Sequence, residues 1–269
     1  RLYEPITELY IKSHNIRSGR VSSPFVNPYD YAFFMSFFVY YFFVKLLFDG
    51  VLYFPLFFLA LVMLLLPQSR SVVAGFIIGF FLIMPVLLTY FGFTLKTLSL
   101  NKKLIWFYGA LVTIVASLVV VMPYVIENFN YLTSQFIRLF ERGEIGGSAT
   151  NRLIQFTFVV DRASENPLAM IFGNGPAKDE MEHVESIYTY LFYRYGLLGV
   201  GLYFYLLFMS IIHCFKLVAT LGDKSKYYTL FLAILLWLIT IPLLSIGNNF
   251  TEQVRISFFY YMVLGFVAA

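Results

Sequence analysis

Long apolar runs alternate with short polar connections along most of the chain. The runs occupy about 30–47, 51–66, 72–91, 104–125, 187–215 and 227–247, and another begins near 254 and continues to the last residue. A helix crosses the hydrocarbon core of a bilayer with about 17–25 predominantly apolar residues. The pattern therefore predicts about six spanning helices and part of a seventh.

Two polar segments interrupt this pattern. Residues 1–28 contain several helix-breaking Pro and Gly residues and are predicted to form a loop. The stretch 126–183 is long and rich in charge, and a helix is predicted within it at about 149–164. Asn166-Pro167 should end that helix, and a turn should follow at 173–176. The residues that give the helix its amphipathic pattern are Leu153, Ile154, Phe156, Thr157, Val160 and Asp161.

Composition excludes an ordinary soluble domain. The chain is 60% hydrophobic and 13% charged, with a mean hydropathy of +0.77, and would leave too little polar surface for water. Cys214 is its one cysteine and it has three histidines, which excludes an internal disulfide framework and disfavours a structural zinc site. The predicted fold is all-α: a polytopic transmembrane helix bundle with one long extracytoplasmic loop that contains short amphipathic helices.

The chain is accordingly divided into a loop at 1–28, membrane helices at 29–125, the long loop at 126–183 and membrane helices at 184–269. It begins at Arg1 rather than Met and stops at Ala269 within an apolar run. We therefore expect it to be a fragment of a longer membrane protein, with further helices especially before residue 1.

Lysines set the predicted orientation. Seven of the nine lysines occur at the end of the first run and in the two loops at 92–103 and 216–226, which alternate correctly to share one side of the membrane. Because Lys and Arg in short loops favour the cytoplasmic side, that side is predicted to be cytoplasmic. The segments 1–28, 67–71, 126–183 and 248–253 are then predicted to lie outside.

Arginines follow the opposite distribution. The lysine-bearing loops contain no arginine, and the arginines fall on or near the predicted outer side. Arginine binds phosphate in a planar, bidentate way and keeps its charge at all accessible pH. The pattern indicates an anionic, phosphate-bearing ligand at the outer face, so the net charge of +4 does not indicate nucleic acid. The arginines in question are Arg17, Arg20, Arg70, Arg138, Arg142, Arg152, Arg162, Arg194 and Arg255.

Each candidate phosphate-binding group has a structural alternative. Ser69-Arg70, in a very short outer turn, is either a phosphate clamp or a side chain that reaches lipid headgroups. His14, Arg17 and Arg20 could hold a pyrophosphate or a sugar, or could belong to a solvated loop. The amphipathic helix carries two arginines that point in different directions. We assign Arg152 to the site and expect Arg162 to form an ordinary ion pair, and we place Arg194 near the outer boundary of its span.

The candidate bases come just before the run at 187–215. Glu185 and His183 would stand at the mouth of a membrane cavity, where either could act as a general base. The alternative for Glu185 is a favourable charge at a helix N-terminus. Tyr188 and the tyrosines after it could stack on sugar rings or anchor the interface. The glycines at 196, 199 and 201 are interpreted as allowing close helix approach, without chemistry.

Several stretches, in this order, resemble the O-antigen ligase and polymerase superfamily. They are Arg17 to Ala32 (RSGRVSSPFVNPYDYA), Gln68-Ser69-Arg70 between two spans, Arg152 to Gly175 with its NPL and GNG, and Glu185 to Gly199 (ESIYTYLFYRYGLLG). The resemblance extends from residue 17 to about 205. Where the ligases typically carry a His before the Gly-Leu-Leu-Gly run, this chain has Glu185, which makes it look more like a Wzy-type polymerase.

The resemblance implies a fold like the class C glycosyltransferases and a metal-independent enzyme without cofactor, in the bacterial cytoplasmic membrane with its site facing the periplasm. It implies that an undecaprenyl-diphosphate-linked oligosaccharide is extended for capsule, lipopolysaccharide or another polysaccharide. The family's arginines are thought to hold the diphosphate, and the matching positions are Arg70 and Arg152, with Arg17 or Arg20 less closely matched. A chain-length regulator, a flippase and membrane lipid are the candidate partners.

The hypothesis is a polymerase that transfers a lipid-linked glycan to a hydroxyl of a second lipid-linked repeat, with Arg groups stabilising the leaving diphosphate and Glu185 or His183 accepting the proton. The nearest alternative is an O-antigen ligase that transfers finished glycan to a lipid core. An alternative of another class is a lipid-linked oligosaccharide flippase or transporter, which should show repeated halves and ionisable groups at the bilayer middle.

Overall fold

The computed structural model describes residues 25, 27–91, 147–175, 184–221, 225 and 227–268. Every regular element in those ranges is a helix. The helices in chain order are α1 (Pro28–Phe48), α2 (Phe54–Leu65), α3 (Arg70–Ile78), α4 (Met84–Tyr90), α5 (Gly147–Glu165), α6 (Pro167–Phe172), α7 (Ile187–Leu221), α8 (Tyr228–Leu244) and α9 (Val254–Ala268).

Within the described ranges, four helices are long and apolar enough to cross a membrane: Pro28–Phe48, Arg70–Leu87, Ile187–Leu221 and Tyr228–Gly247. Val51–Leu65 and Val254–Ala268 are shorter apolar helices. For the described residues, the prediction of an all-α fold with several helices that are long and apolar enough to span a membrane is therefore confirmed. The predicted span at 104–125 and the lysine loop at 92–103 lie outside the described residues.

The helix ends follow local sequence signals. Asn27 precedes α1 in an extended conformation, and its Oδ1 accepts a hydrogen bond from the N–H of Tyr29 at 3.0 Å. Asn166 does the same between α5 and α6, where its side chain accepts from the N–H groups of Leu168 and Ala169. In both cases a proline occupies the first helical position, where its missing N–H costs nothing. The predicted Asn166-Pro167 stop is thus also the start of α6.

The core forms where α8 lies between α1 and α3. Trp237 of α8 is fully buried, and its indole N–H donates to the Ser36 hydroxyl of α1 at 3.0 Å. On the other side, Gly79 lies in the π turn (Gly79–Ile83) that joins α3 to α4. A Cβ there would overlap Thr240 and the Tyr40 hydroxyl. The absence of a side chain at Gly79 therefore lets three helices approach closely.

α7 is not a single straight rod. Gly196 has φ 62° and ψ −163°, which divides the helix into a first arm (187–195) and a second arm (197–221). The rings of Tyr188 and Phe204 stack with centroids 5.8 Å apart. A continuous helix would separate these residues by about 24 Å along its axis, so the chain must fold back at the glycine. The sequence pattern identified an apolar run at 187–215 as a span, and it did not predict this break within the run.

Side-chain contacts fix which helix ends share a side of the bundle. The Tyr29 hydroxyl donates to the carbonyl of Leu244 at 2.8 Å, which joins the start of α1 to the end of α8. At the opposite end, the rings of Phe48 and Tyr228 are 5.2 Å apart. We call the first of these the arginine end, defined by Tyr29, Arg70, Leu244 and Val254, and the second the lysine end, defined by Phe48, Phe215 and Tyr228.

Candidate functional site

α5 packs on the body of the protein through a narrow face. Val159 and Ala163 are buried, and Val159 clusters with Val184 and Tyr193 at the start of α7. The side chains that made the helix look amphipathic lie elsewhere, since Leu153 is 57% and Ile154 62% exposed. The position of the helix agrees with the sequence pattern, whereas its packed face is a different one.

The same packed face holds the segment that precedes α7. The Arg152 Nε lies 3.0 Å from the Glu185 Oε2, and the Gln155 Oε1 accepts a hydrogen bond from the Glu185 N–H at 3.1 Å. Arg152, Gln155 and Val159 lie on one face of α5, because they are three and four residues apart. Arg152 contacts the side chain of Glu185, Gln155 contacts its backbone, and Val159 packs on the preceding residue, Val184. The structure therefore joins a predicted phosphate ligand to a predicted base.

The guanidinium of Arg152 reaches the arginine end of the bundle. Its Cζ lies 3.6 Å from the point that a Cβ on Gly247 would occupy, and Ser71 of α3 lies closer still to that point. Ser71 follows Arg70, the first residue of α3, and Ser69 is buried at the helix N-cap position. Arg152 thus meets the N-terminus of α3, whose N–H groups carry partial positive charge.

Tyrosines line the layer beneath this meeting point. The hydroxyl of Tyr188 donates to the carbonyl of Pro242, and that of Tyr29 donates to the carbonyl of Leu244. These two carbonyls belong to the last turn of α8. Because the helix ends there, no further helical N–H group is available to donate to them. Tyr29 is also close enough to Arg152 and Tyr188 for electrostatic interaction with both. Tyr188, a predicted sugar-stacking residue, therefore holds the end of α8 in this structure and stacks on Phe204.

Arg194 lies apart from this cluster. It is 2% exposed, its guanidinium packs on the ring of Tyr193, and its Nη1 donates to the Gly175 carbonyl at 3.5 Å. The loop that contains Gly175 also supplies the N–H of Asn174 to the Tyr193 carbonyl at 2.8 Å. This bond, and the bond from the Gly175 N–H to the Arg194 carbonyl at 3.0 Å, pair carbonyls that the fold-back of α7 leaves without helical partners. In this structure the arginine packs against the loop after α6.

The other predicted residues divide into two groups. Arg162 pairs with Glu165 at 3.3 Å on the exposed side of α5, as expected. His14, Arg17, Arg20 and His183 lie outside the described residues, and so does the larger part of the loop at 126–183.

Two polar residues at the arginine end were not singled out from the sequence. Asp30 of α1 is 1% exposed, and its Oδ1 has no hydrogen-bond partner among the described residues. Asn249, between α8 and α9, is buried and its Oδ1 caps the turn that follows. A carboxylate in an apolar run is a signal in itself, because ionisable groups at membrane depth are costly and mark functional positions.

The site as a whole combines features that suit an anionic ligand. It has the Arg152 guanidinium, a serine hydroxyl, a partly exposed carboxylate and a helix N-terminus whose first residue is Arg70. Side chains of Arg152 and Glu185 are 32% and 38% exposed, so a ligand can reach both. Among the described residues, no group of three His, Cys, Asp or Glu is placed to hold a metal ion.

Comparison with known proteins yields no relative. No protein-family model, no curated protein and no solved structure matches this chain.

Proposed function

We propose that this protein is a membrane glycosyltransferase that moves a glycan from a polyprenyl diphosphate to the hydroxyl of an acceptor sugar at the arginine end. The observation that carries the proposal is the meeting of Arg152, Glu185 and the N-terminus of α3 at one partly exposed point. Polymerisation of lipid-linked repeats is the preferred form of the reaction, on the resemblance of the Glu185 to Gly199 stretch.

The chemical demand of the reaction matches these groups. As the bond between the anomeric carbon and the phosphate oxygen breaks, its electron pair leaves with the diphosphate. Arg152 and Arg70 stabilise the growing negative charge, and fixed donors of this kind contribute most where water is excluded. The N–H groups and the Ser71 hydroxyl at the start of α3 add donors that need no reorganisation.

In an inverting reaction, the carboxylate of Glu185 acts as the general base. As the acceptor oxygen bonds to the anomeric carbon, its proton moves to the carboxylate of Glu185. The Gln155 Oε1 accepts a hydrogen bond from the Glu185 N–H at 3.1 Å, which fixes the position of the backbone that carries this carboxylate. A general base must lie within hydrogen-bond reach of the proton that it takes, and a partly exposed glutamate beside the phosphate ligands meets that condition.

The test is a transfer assay with purified lipid-linked repeat units. Arg152→Ala and Arg70→Ala should each lower the rate of glycan transfer by about 10²–10³-fold, the usual cost of removing one preorganised donor. Arg→Lys at either position should restore part of the rate, because charge returns without the bidentate geometry. Arg162→Ala is the matched control, since this arginine lies on the same helix and pairs with Glu165 on its exposed side.

The product identifies the reaction. Longer glycan on polyprenyl diphosphate indicates a polymerase, and glycan on a lipid core indicates a ligase. If both alanine variants make product at the rate of the control, the diphosphate-clamp proposal is refuted. Movement of lipid-linked substrate across a vesicle membrane without any transfer would replace it with the transporter alternative.

A further inference from the structure

We infer that Glu185 and the anionic ligand compete for Arg152, so that ligand binding releases the carboxylate for use as a base. The inference rests on the proposed function and concerns how its two charged groups are coupled. Glu185, the group expected to accept a proton, forms an ion pair at 3.0 Å with Arg152, the group expected to bind phosphate.

The pair is of a kind that a ligand can open. It involves the Nε of Arg152, an atom that is itself buried and has no hydrogen-bond partner among the described residues, so its contact with Glu185 is an ion pair without hydrogen-bond geometry. Both side chains are about one-third exposed, and exposed ion pairs contribute little free energy. A diphosphate carries more negative charge than one carboxylate and matches the planar guanidinium in two bonds. It therefore attracts Arg152 more strongly than Glu185 does.

The backbone remains in place when the side chain is released. The N–H of Glu185 is held by Gln155, and Val184 next to it is buried against Val159. Opening the ion pair therefore changes the rotamer of one side chain while α5 stays docked. While its oxygen contacts the guanidinium, the carboxylate is directed at Arg152 and away from an acceptor hydroxyl, so release at the moment of ligand binding makes it available only when the leaving group is bound.

Linkage gives the inference a measurable form. If pairing with Glu185 opposes anion binding by some factor, anion binding must oppose the pairing by the same factor. Removing the charge of Glu185 should then tighten anion binding while it abolishes transfer. A glutamate with only a structural part in holding α5 would give the opposite result, since loosening α5 would weaken the anion site.

The experiment measures binding of inorganic pyrophosphate to the purified full chain in nanodiscs by calorimetry. Glu185→Gln should tighten binding between about 1.5-fold and fivefold, the range that exposed ion pairs span. Glu185→Asp, whose shorter side chain reaches Arg152 less well, should tighten it by less. Arg152→Ala should weaken binding in either background, and Arg162→Ala should leave it at the wild-type value. Melting temperatures of the variants show that each is folded.

The outcomes separate the two proposals. If pyrophosphate binds through Arg152 and neither Glu185 variant binds more tightly, the competition is refuted and the proposed function remains. If Glu185→Gln binds more tightly but wild-type protein transfers no glycan, the competition stands at an anion site of other use. If pyrophosphate does not bind at all, both proposals fail.

Discussion

Replacing Gly196 with alanine is the sharpest test of the architecture that supports the site. Gly196 has φ 62° and ψ −163°, a conformation that is essentially restricted to glycine. A Cβ there would also lie 2.5 Å from the carbonyl carbon of Ile171 and 2.6 Å from the N atom of Gly173. Both atoms belong to backbone, so neither can rotate away.

The expected cost combines two terms. Backbone strain of this kind costs about 1–3 kcal/mol, and overpacking costs a similar amount. A total of roughly 2–6 kcal/mol should lower the melting temperature by about 4–24 °C for a chain of this size. Alanine also favours a continuous helix, so the variant should straighten α7 and separate Glu185 from Arg152. Transfer activity should therefore fall further than stability alone explains.

The assay measures thermal unfolding in detergent. The height of the monodisperse peak in size-exclusion chromatography reports how much folded protein remains at each temperature. Gly201→Ala is the matched control, because it lies five positions further along α7 and a Cβ there meets no atom within 4 Å. It should melt at or slightly above the wild-type temperature, as alanine favours a helix interior. If Gly196→Ala has the same melting temperature as Gly201→Ala, the fold-back of α7 is refuted.

Two further substitutions test the arginine end. Gly247→Ala should cost about 1–3 kcal/mol and weaken pyrophosphate binding, because its Cβ would overlap Ser71 and displace the start of α3 beside Arg152, whereas Gly265→Ala, with open space around it, should change neither. Equal binding by both variants would contradict the placement of Arg152 against α3. Asp30→Asn should melt at or above the wild-type temperature, since it removes a buried charge with no partner for Oδ1 among the described residues. A clear drop in its melting temperature would show that the carboxylate is paired in the folded protein.

Local signals were sufficient to predict several of the helices. Apolar length gave the spans of α1 and α8, and the Asn166-Pro167 pair gave the end of α5. Each of these depends on residues within a few positions of one another, so a single sequence contains the necessary information. The segregation of arginine from lysine also followed from the loops alone, and the described helices bring Arg70 and Arg152 to one end.

The packed face of α5 could not be predicted from its pattern. The rule that apolar residues face the interior assumes that water surrounds the molecule. In a chain with several membrane-spanning helices, an apolar side chain can also be exposed toward lipid, and the helix then packs through small or polar residues. In α5, Val159, Ala163 and Gln155 form the packed face, while Leu153 and Ile154 are exposed.

The pairing of Arg152 with Glu185 depends on contacts that no local pattern reveals. Thirty-five residues of continuous helix, the length of Ile187–Leu221, would extend about 52 Å, well beyond a hydrocarbon core of about 30 Å. Glu185, just before such a helix, would then lie roughly 20 Å beyond the membrane boundary, far from Arg70. The fold-back at Gly196 removes that distance and brings Tyr188 beside Phe204. The position of the proposed base is therefore set by the backbone freedom of a glycine in the middle of an apolar run, and by the loop at 173–175 that packs against it.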